Sequence, residues 1–316
     1  MTKSDPTHLV IVGGGTAGWL AAHLFKTESE RQGIPMRITL VESSKVPTIG
    51  VGEGTTSVFG GVLQSLGFDE EDFLAHTDAT IKYGIRHRDW RRLGHVYDGP
   101  IDDAYALTDR IPGAGSWIDT FCVAAGRSVS APHIFAKLME TGKAPVAEMG
   151  GRRVPVSRFH HAYHFDQAKV GAYLRRKATD ISKIDALVES AERDGKSGCV
   201  TKLRLDTGET IAGDFFIDCT GFRRTLIQGT MGASWVSYSD ALPVNRAMPF
   251  WLDLAEGEEI PTFTHAWAQA SGWMWQIPTQ GRIGCGYVYS DRHSSPDIAL
   301  AEIEGVLGRK IEPRAD

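Results

Sequence analysis

The chain has 316 residues, of which 42% are hydrophobic and 23% charged, a composition typical of a globular protein with room for two domains or one large α/β unit. Its 34 basic and 39 acidic side chains give a net charge of −5, which argues against nucleic-acid or anionic-membrane binding through bulk charge. No apolar run reaches the length of a transmembrane helix, and the start of the chain lacks a secretory pattern. Four widely spaced cysteines without a C-x-x-C pair argue for a reducing, cytoplasmic compartment and against a disulfide framework or a cysteine zinc site.

The first fifty residues have the pattern of a β-α-β unit. Residues 8–13 are β-branched and apolar and predict a buried strand, residues 17–26 are good helix formers, and residues 36–42 predict a second strand. This order is typical of the opening of a doubly wound α/β nucleotide-binding fold.

The elements that follow are predicted from local patterns. Residues 47–61 are rich in glycine and are expected to be irregular. The further predicted elements are an acidic helix from residue 69, a strand over 81–90, a loop over 98–117, a helix over 166–180 capped by Asp166, strands over 184–188, 198–206 and 209–218 with a hairpin turn at 206–208, strands within 247–290, and a helix over 295–307.

A G-x-G-x-x-G motif stands between the first strand and the first helix. Its glycines permit a tight turn, a close approach of the backbone to a diphosphate, and close packing of helix on strand, while the helix N-terminus favours negative charge. Glu42 ends the second strand, where a carboxylate can accept hydrogen bonds from a ribose hydroxyl. The predicted cofactor-binding residues of this unit are Gly13, Gly15, Thr16, Ala17, Gly18 and Glu42.

A second feature favours FAD over NAD(P). Residues 214–221 form a predicted strand that ends in Gly221, after a predicted hairpin over 199–211. A late strand that returns beneath the cofactor and ends in this way is typical of flavoproteins with a single FAD domain. Glu42 also disfavours NADP, because a carboxylate would repel a 2′-phosphate.

Several segments together resemble flavin-dependent tryptophan halogenases. The resemblance is distributed over the whole chain and combines the glycine fingerprint with a W-x-W-x-I-P signature and a lysine. The segments that carry it are VGGGTAGW at 12–19, IGVGEGTT at 49–56, IKYGIR at 81–86, YHFD at 163–166, DCTGFRR at 218–224 and WMWQIP at 273–278.

The resemblance implies a fold and an activity. The fold is α/β, a single FAD-binding Rossmann-like domain with β-sheet and hairpin insertions on the substrate side. The activity is halogenation of an indole or tryptophan-like aromatic with FADH2, O2 and chloride or bromide, and a separate flavin reductase supplies the reduced FAD. The FAD-binding part comprises about 1–60 and 160–230, and the substrate-side part about 61–159 and 231–316.

The resemblance also implies which residues act. Lys82 is expected to relay hypohalous acid from the flavin to the aromatic ring, and burial would lower its pKa and assist this role. Trp273 and Trp275 alternate on a predicted strand and are expected to wall off the flavin from the substrate. The remaining residues of that wall are Ile277 and Pro278, and the loop expected near the flavin contains Gly50, Val51, Gly52 and Glu53.

Family members are typically longer than this chain. Beyond the equivalent of Pro313 they continue into a segment that carries a catalytic glutamate and part of the flavin and halide site. We therefore expect the family's C-terminal helical part to be absent here, and no glutamate is assigned that role. Two other functions stay open: a flavoprotein aromatic monooxygenase, and an FAD-binding fragment without halogenating activity.

Two clusters of side chains have a functional and a structural interpretation. His160 and His164 have a spacing that could suit a metal ion, with His161 between them, but no H-E-x-x-H glutamate accompanies them and the family segment accounts for His164. We therefore favour a structural or hydrogen-bonding role and predict no metal. Basic side chains surround Trp90, and we favour a solvated strand end over a nucleic-acid patch because the net charge is negative.

Overall fold

The computed structural model describes residues 5–46, 50–101, 122–127, 133–144, 146–155, 161–255 and 257–314. The strands are β1 (Thr7–Val12), β2 (Met36–Glu42), β3 (Glu53–Gly54), β4 (Thr80–Lys82), β5 (Gly84–Arg88), β6 (Val96–Pro100), β7 (Val146–Met149), β8 (Arg152–Pro155), β9 (Ala162–Phe165), β10 (Ser182–Asp185), β11 (Val188–Arg193), β12 (Val200–Leu205), β13 (Thr210–Ala212), β14 (Phe215–Asp218), β15 (Arg246–Leu252), β16 (Phe263–Ala268), β17 (Gly272–Pro278) and β18 (Ile283–Tyr289). The α-helices with described bounds are α1 (Thr16–Gln32), α2 (Val58–Ser65), α3 (Glu70–Thr77), α4 (Ile134–Thr141), α5 (Gln167–Lys177) and α6 (Pro296–Leu307).

The chain divides into two compact units, each made of two segments. Unit 1 comprises Met1–Gly50 and Gln167–Ser237, and unit 2 comprises Val51–Asp166 and Tyr238–Asp316. None of the helices in the described ranges combines the length and apolar character needed to cross a bilayer.

Unit 1 is built on a four-stranded parallel sheet in the order β10-β2-β1-β14. Strand β1 is central, and its residues Leu9, Val10 and Ile11 are almost completely buried, as expected for a parallel strand covered on both faces. Strands β11, β12 and β13 form a separate antiparallel sheet. The predicted β-α-β opening and the α/β fold class are confirmed, and α1 extends six residues beyond the predicted end at Lys26.

Two predictions in unit 1 are wrong because each treats parts of two strands as one continuous strand. Residues 209–218 form two strands, because the chain leaves the antiparallel sheet at Gly213, whose N–H donates to the Thr201 carbonyl, and joins the parallel sheet at Asp214, whose N–H donates to the His8 carbonyl. Likewise, the prediction over 184–188 joins the end of β10 to the start of β11. The hairpin turn at 206–208 is confirmed.

Unit 2 is built on a six-stranded sheet in the order β15-β18-β17-β16-β5-β6, in which only the β16–β5 pair is parallel. One face packs on α6 through a core that includes Met274, Phe250 and Tyr287. The antiparallel sheet β3-β9-β4 and the hairpin β7-β8 complete the strands of this unit in the described residues. In this unit the aromatic strands expected within 247–290, the acidic helix and the helix over 295–307 are confirmed, and in unit 1 the helix over 166–180 is confirmed as α5.

Two predictions in unit 2 are wrong in part. The strand over 81–90 is interrupted at Tyr83, whose N–H donates to the Thr262 carbonyl, so β4 and β5 enter different sheets. The glycine-rich segment 47–61 is not wholly irregular, since it contains β3 and the start of α2. Most of the predicted loop 98–117 lies outside the described residues, and its first three residues belong to β6.

Candidate functional site

The loop between β1 and α1 contains glycines with different physical purposes. Gly13 has a φ of +110°, and a Cβ there would lie 2.2 Å from the Cys219 carbonyl oxygen. A Cβ on Gly18 would lie 1.8 Å from the Gly13 carbonyl oxygen, so only glycine lets the helix approach the strand this closely. Gly15 differs from both, because apart from its neighbours along the chain no heavy atom of the described residues lies within 4 Å of its Cβ position. Packing therefore requires Gly13 and Gly18, whereas Gly15 borders open space.

The first turn of α1 starts at this open space. Gly15 is the N-cap residue and offers no side chain to the helix, and the first turn contains no acidic residue that would repel an anion. The Thr16 hydroxyl oxygen is buried and has no hydrogen-bond partner among the described residues, while Ala17 is exposed. Because the first N–H groups of a helix lack internal partners and attract anions, the loop fits the diphosphate of a dinucleotide such as FAD.

Glu42 lies at the carboxyl end of β2 and packs against the same loop. Its Oε2 accepts a hydrogen bond of 3.3 Å from Trp19 Nε1, and its Oε1 lies 3.2 Å from Arg175 Nε. A Cβ on Gly14 would lie 1.8 Å from Oε2, so the carboxylate occupies the space that a side chain would need. The predicted contact of Glu42 with a ribose hydroxyl stays a prediction.

The segment that ends in Gly221 follows β14, which is parallel to β1. Asp218 Oδ2 accepts hydrogen bonds of 2.7 and 2.9 Å from the N–H groups of Leu226 and Ile227, and this ties the segment to the turn that follows it. The carbonyl of Cys219 is the atom against which Gly13 packs. The described part of unit 1 therefore brings the late strand and the glycine loop together at the carboxyl end of the sheet.

The loop expected near the flavin divides between the two units. Gly50 belongs to unit 1, whereas Val51 and Gly52 belong to unit 2 and pack there on the strands of the six-stranded sheet. A Cβ on Gly284 would lie 2.0 Å from the Val51 carbonyl oxygen, and a Cβ on Gly52, whose φ is +89°, would lie 3.3 Å from Ile277 Cγ2. Packing therefore explains the glycines at 52 and 284, and binding of the flavin by this loop stays a prediction.

Lys82 ends β4 and is only 6% exposed. Its Nζ donates a hydrogen bond of 3.0 Å to the Thr55 carbonyl oxygen, and a Cβ on Gly54 would lie 2.9 Å from that nitrogen. Among the described residues no carboxylate forms an ion pair with it, and burial lowers the pKa of Lys82 to about 8. Its amine is therefore poised between the charged and neutral forms near neutral pH, unlike that of a lysine with its head in solvent.

A buried histidine lies beside Lys82. His164 is completely buried, and its Nδ1 and Nε2 lie 3.3 Å and 2.9 Å from the hydroxyl oxygens of Thr80 and Thr264. The Thr80 hydroxyl in turn lies 2.7 Å from the Pro278 carbonyl oxygen. Burial, with a further contribution from the charge of Lys82, holds the pKa of His164 well below its usual range.

Trp273 and Trp275 project from one face of β17. Their ring centroids are 6.2 Å apart, and both side chains are half-buried. Met274, between them in sequence, points to the opposite face and is 1% exposed in the core on α6. A third ring, that of Trp90, lies 5.9 Å from the ring of Trp273, so three tryptophans line this face. They are not the centre of the hydrophobic core.

The comparison with known families agrees with this geometry. The family model described as tryptophan halogenase matches residues 8–315. The chain belongs to the tryptophan halogenase family. Among curated relatives, the tryptophan 6-halogenase SttH of Streptomyces toxytricini is 34% identical over 98% of this chain, and the tryptophan 7-halogenase RebH of Lentzea aerocolonigenes is 35% identical over 93% of it.

Solved structures of tryptophan halogenase relatives have the same fold. The crystal structure of SttH superposes with a TM-score of 0.86 at 30% identity over 98% of this chain and 63% of that one. BrvH, a flavin-dependent halogenase from Brevundimonas sp. BAL3, has a TM-score of 0.81 at 32% identity over 98% of this chain and 62% of that one. The chain spans 62% of the length of the SttH sequence and 57% of that of RebH.

Members of the histidine cluster and of the basic segment around Trp90 form contacts within unit 2. Nε2 of His161 lies 2.6 Å from Glu70 Oε1, whereas His164 bonds the two threonines, and His160 lies outside the described residues. No group of potential ligands in the described ranges is arranged to hold a metal ion. In the basic segment, Arg86 forms two hydrogen bonds of 2.8 and 2.9 Å to Asp98.

The sequence does not indicate the part that Trp90 and Thr264 have in this candidate site. Trp90 was assigned to the basic segment, although its ring continues the row of Trp273 and Trp275. His164 has the structural or hydrogen-bonding role expected for the histidine cluster, but its partners Thr80 and Thr264 are not indicated by the sequence. No local pattern identifies these residues, because Thr264 is 100 positions from His164 and Trp273 is 183 from Trp90.

Proposed function

We propose that this protein acts as a flavin-dependent halogenase on an indole or tryptophan-like aromatic, with FADH2, O2 and chloride or bromide as co-reactants. The observation that carries the proposal is the buried Lys82, whose pKa is lowered to about 8 in a unit that also presents a row of tryptophans. The similar proteins SttH and RebH are named tryptophan halogenases, which supports the same substrate class.

Unit 1 is the part that we propose binds FAD. The residues for the ADP half are those of the glycine loop together with Glu42, and Gly221, in the turn that follows β14, would lie near the cofactor. When bound in its reduced form, FAD would give two electrons to O2 and so activate the O2 that oxidises halide to hypohalous acid. A separate flavin reductase would supply the reduced FAD.

The four cysteines are free thiols, which supports a reducing, cytoplasmic compartment.

Lys82 is the residue that we propose delivers the halogen. Its carbonyl partner uses one N–H of the amine, which leaves donors that can hydrogen-bond hypohalous acid. With a pKa of about 8, Lys82 is neutral in about a tenth of the molecules at pH 7. That neutral amine can instead form an N–halogen bond with hypohalous acid and release water. Burial lowers the pKa of Lys82 and so makes either role easier.

The tryptophans and the end of their strand are the proposed wall of the substrate pocket. Trp273 and Trp275 present large rings on a rigid strand, and Ile277 and Pro278 continue the segment toward the contact with Thr80. Rings held by a sheet exclude water from a reactive oxidant, and they favour an aromatic substrate through stacking.

The test is to incubate the protein with a flavin reductase, NADH, FAD, bromide or chloride, and indole or tryptophan, and to identify the products by mass. We expect halogenated product from the parent and from the exposed control Lys196→Ala. We expect none from Lys82→Ala, although flavin oxidation by O2 continues at the parent rate. Hydroxylated product would instead establish an aromatic monooxygenase, and FAD binding without either product would establish a flavin-binding protein that does not halogenate.

A further inference from the structure

A hydrogen-bond chain runs through unit 2 beside Lys82, and chemistry decides the direction of each bond. The Pro278 carbonyl can only accept, so the Thr80 hydroxyl donates its single proton to it over 2.7 Å. The Thr80 oxygen can then only accept from the imidazole of His164, whose Nδ1 lies 3.3 Å away. Nδ1 of His164 therefore carries a proton.

The other ring nitrogen has the opposite role. His164 is fully buried next to the Lys82 amine, and both burial and the charge of that amine disfavour an imidazolium, so the ring is neutral. A neutral ring that is protonated at Nδ1 has a bare Nε2, which accepts from the Thr264 hydroxyl over 2.9 Å. The proton positions are thus set from the Pro278 carbonyl through to Thr264.

The hydrogen-bond chain joins β4, the strand of Lys82, to β17, the strand of the tryptophans. Thr80 lies two residues before Lys82 on β4, so the two side chains project from the same face. His164 is the β9 residue opposite both Thr80 and Gly54, and Gly54 packs against the lysine nitrogen. Pro278 is the last residue of β17, the strand that presents the tryptophan rings.

We propose that His164 is a positioning residue for halogen transfer: hydrogen-bonded to Thr80 and Thr264, its neutral ring holds Lys82 in register with the tryptophan strand and adds no charge beside Nζ. Both ring nitrogens are occupied, so His164 does not compete for the N–H groups of Lys82 that face a reactant. The role rests on the proposed halogenase function, whereas the proton positions do not.

The expected effect on transfer is large because the reaction needs exact placement. A displacement of about 1 Å in a reacting group costs on the order of 100-fold in rate. Loss of one hydroxyl from the hydrogen-bond chain lets Lys82 move by part of that distance. We therefore expect a loss of roughly tenfold or more in halogenated product per flavin oxidised.

The variants are chosen to keep side-chain volume. His164→Ala would empty a fully buried site and could unfold the protein, so Thr80→Val and Thr264→Val carry the test, with Thr80→Ser and Thr264→Ser as conservative partners. Thr262→Val is the matched control, because the Thr262 hydroxyl is buried nearby in sequence and has no hydrogen-bond partner among the described residues.

Two measurements decide the outcome. Product per flavin oxidised should fall roughly tenfold or more in the valine variants and stay within about twofold of the parent in the serine variants and in Thr262→Val. Nitrogen-15 NMR of the assigned His164 ring in the parent should show a single proton, at Nδ1, and this readout needs no activity.

Valine variants with near-parental transfer, serine variants as impaired as valine variants, or a proton on Nε2 would each overturn the proposal. If the parent yields no halogenated product, the proposed function fails, and the spectrum still decides whether the hydrogen-bond chain has this proton order.

Discussion

Replacement of Lys82 by methionine is expected to make the protein more stable at neutral pH. The variant keeps the stem of the side chain and removes a buried charge that has no carboxylate partner among the described residues. The fall in pKa from 10.5 to about 8 corresponds to about 3 kcal/mol, at roughly 1.4 kcal/mol for each pH unit. The hydrogen bond to the Thr55 carbonyl is lost, which offsets about 1 kcal/mol. We therefore expect Lys82→Met to raise the free energy of unfolding by about 2 kcal/mol at pH 7.

The sign of the pH dependence follows from the direction of the pKa change. Below pH 8 the amine of Lys82 is charged in both the folded and the unfolded chain, so the folded parent bears the whole cost of burying the charge. Between pH 8 and 10.5 the unfolded chain binds more protons than the folded one, and the stability of the parent rises. Above pH 10.5 the cost is absent, and the methionine variant should be about 1 kcal/mol less stable than the parent, because the Thr55 carbonyl has lost its donor.

The assay is urea unfolding of the parent and of Lys82→Met at pH 7, 9 and 10.5, followed by tryptophan fluorescence. Six of the eight tryptophans lie in unit 2, which contains Lys82, so the signal reports mainly on that unit. The contributions of other titrating groups cancel in the difference between the two proteins, and the exposed control Lys196→Met should show a difference close to zero at every pH. A difference between parent and Lys82→Met that stays constant from pH 7 to 10.5 would refute the reasoning.

Three further substitutions test the glycine loop, the tryptophan row and a buried ion pair. Gly15→Val should leave folding intact, since its side chain enters open space, and should abolish FAD binding in a fluorescence titration. An affinity for FAD equal to that of the parent would contradict binding of the diphosphate by the glycine loop. Trp275→Ala should cost less than the 3–5 kcal/mol of a fully buried ring, because the ring is half-buried, and a larger loss in urea unfolding would place it in the core. Asp166→Asn should destabilise the fold by about 3 kcal/mol, because it leaves the Arg282 guanidinium, 2.6 Å from the carboxylate, without its charged partner; calorimetry of Asp166→Asn combined with Arg282→Met should recover part of that loss.

Features that depend on local chemistry could be predicted from the sequence. The β-α-β opening follows from apolar strands around a glycine loop, and the helix over 167–177 has the predicted start after Asp166. The strand of Trp273 and Trp275 was predicted from its alternation, and the neighbouring rings confirm it. Each of these patterns lies within about ten residues, so its structural cause is present in the sequence itself.

The burial of Lys82 could not be predicted in the same way. Its amine is covered by Gly54, Thr55 and His164, which come from two other segments of the chain. The family resemblance pointed to the residue, but only the packing accounts for the lowered pKa. The hydrogen-bond partners of His164 are 84 and 100 positions away, beyond any periodicity.

The interruption of the strand at Tyr83, which the prediction over 81–90 lacks, explains the position of Lys82. A continuous strand would keep the residues after Lys82 in the same small sheet, but at Tyr83 the backbone instead donates to Thr262 and accepts from Ile101, and β5 enters the six-stranded sheet. Gly84 is required at this point, because a Cβ there would lie 2.6 Å from the Gly99 carbonyl oxygen. The interruption leaves Lys82 as the last residue of β4, with its amine directed to the Thr55 carbonyl and its strand tied through Thr80 to the Pro278 end of the tryptophan strand. The break that local propensity did not predict is therefore what gives one strand lysine a rigid, buried position beside the residues with which we propose it acts.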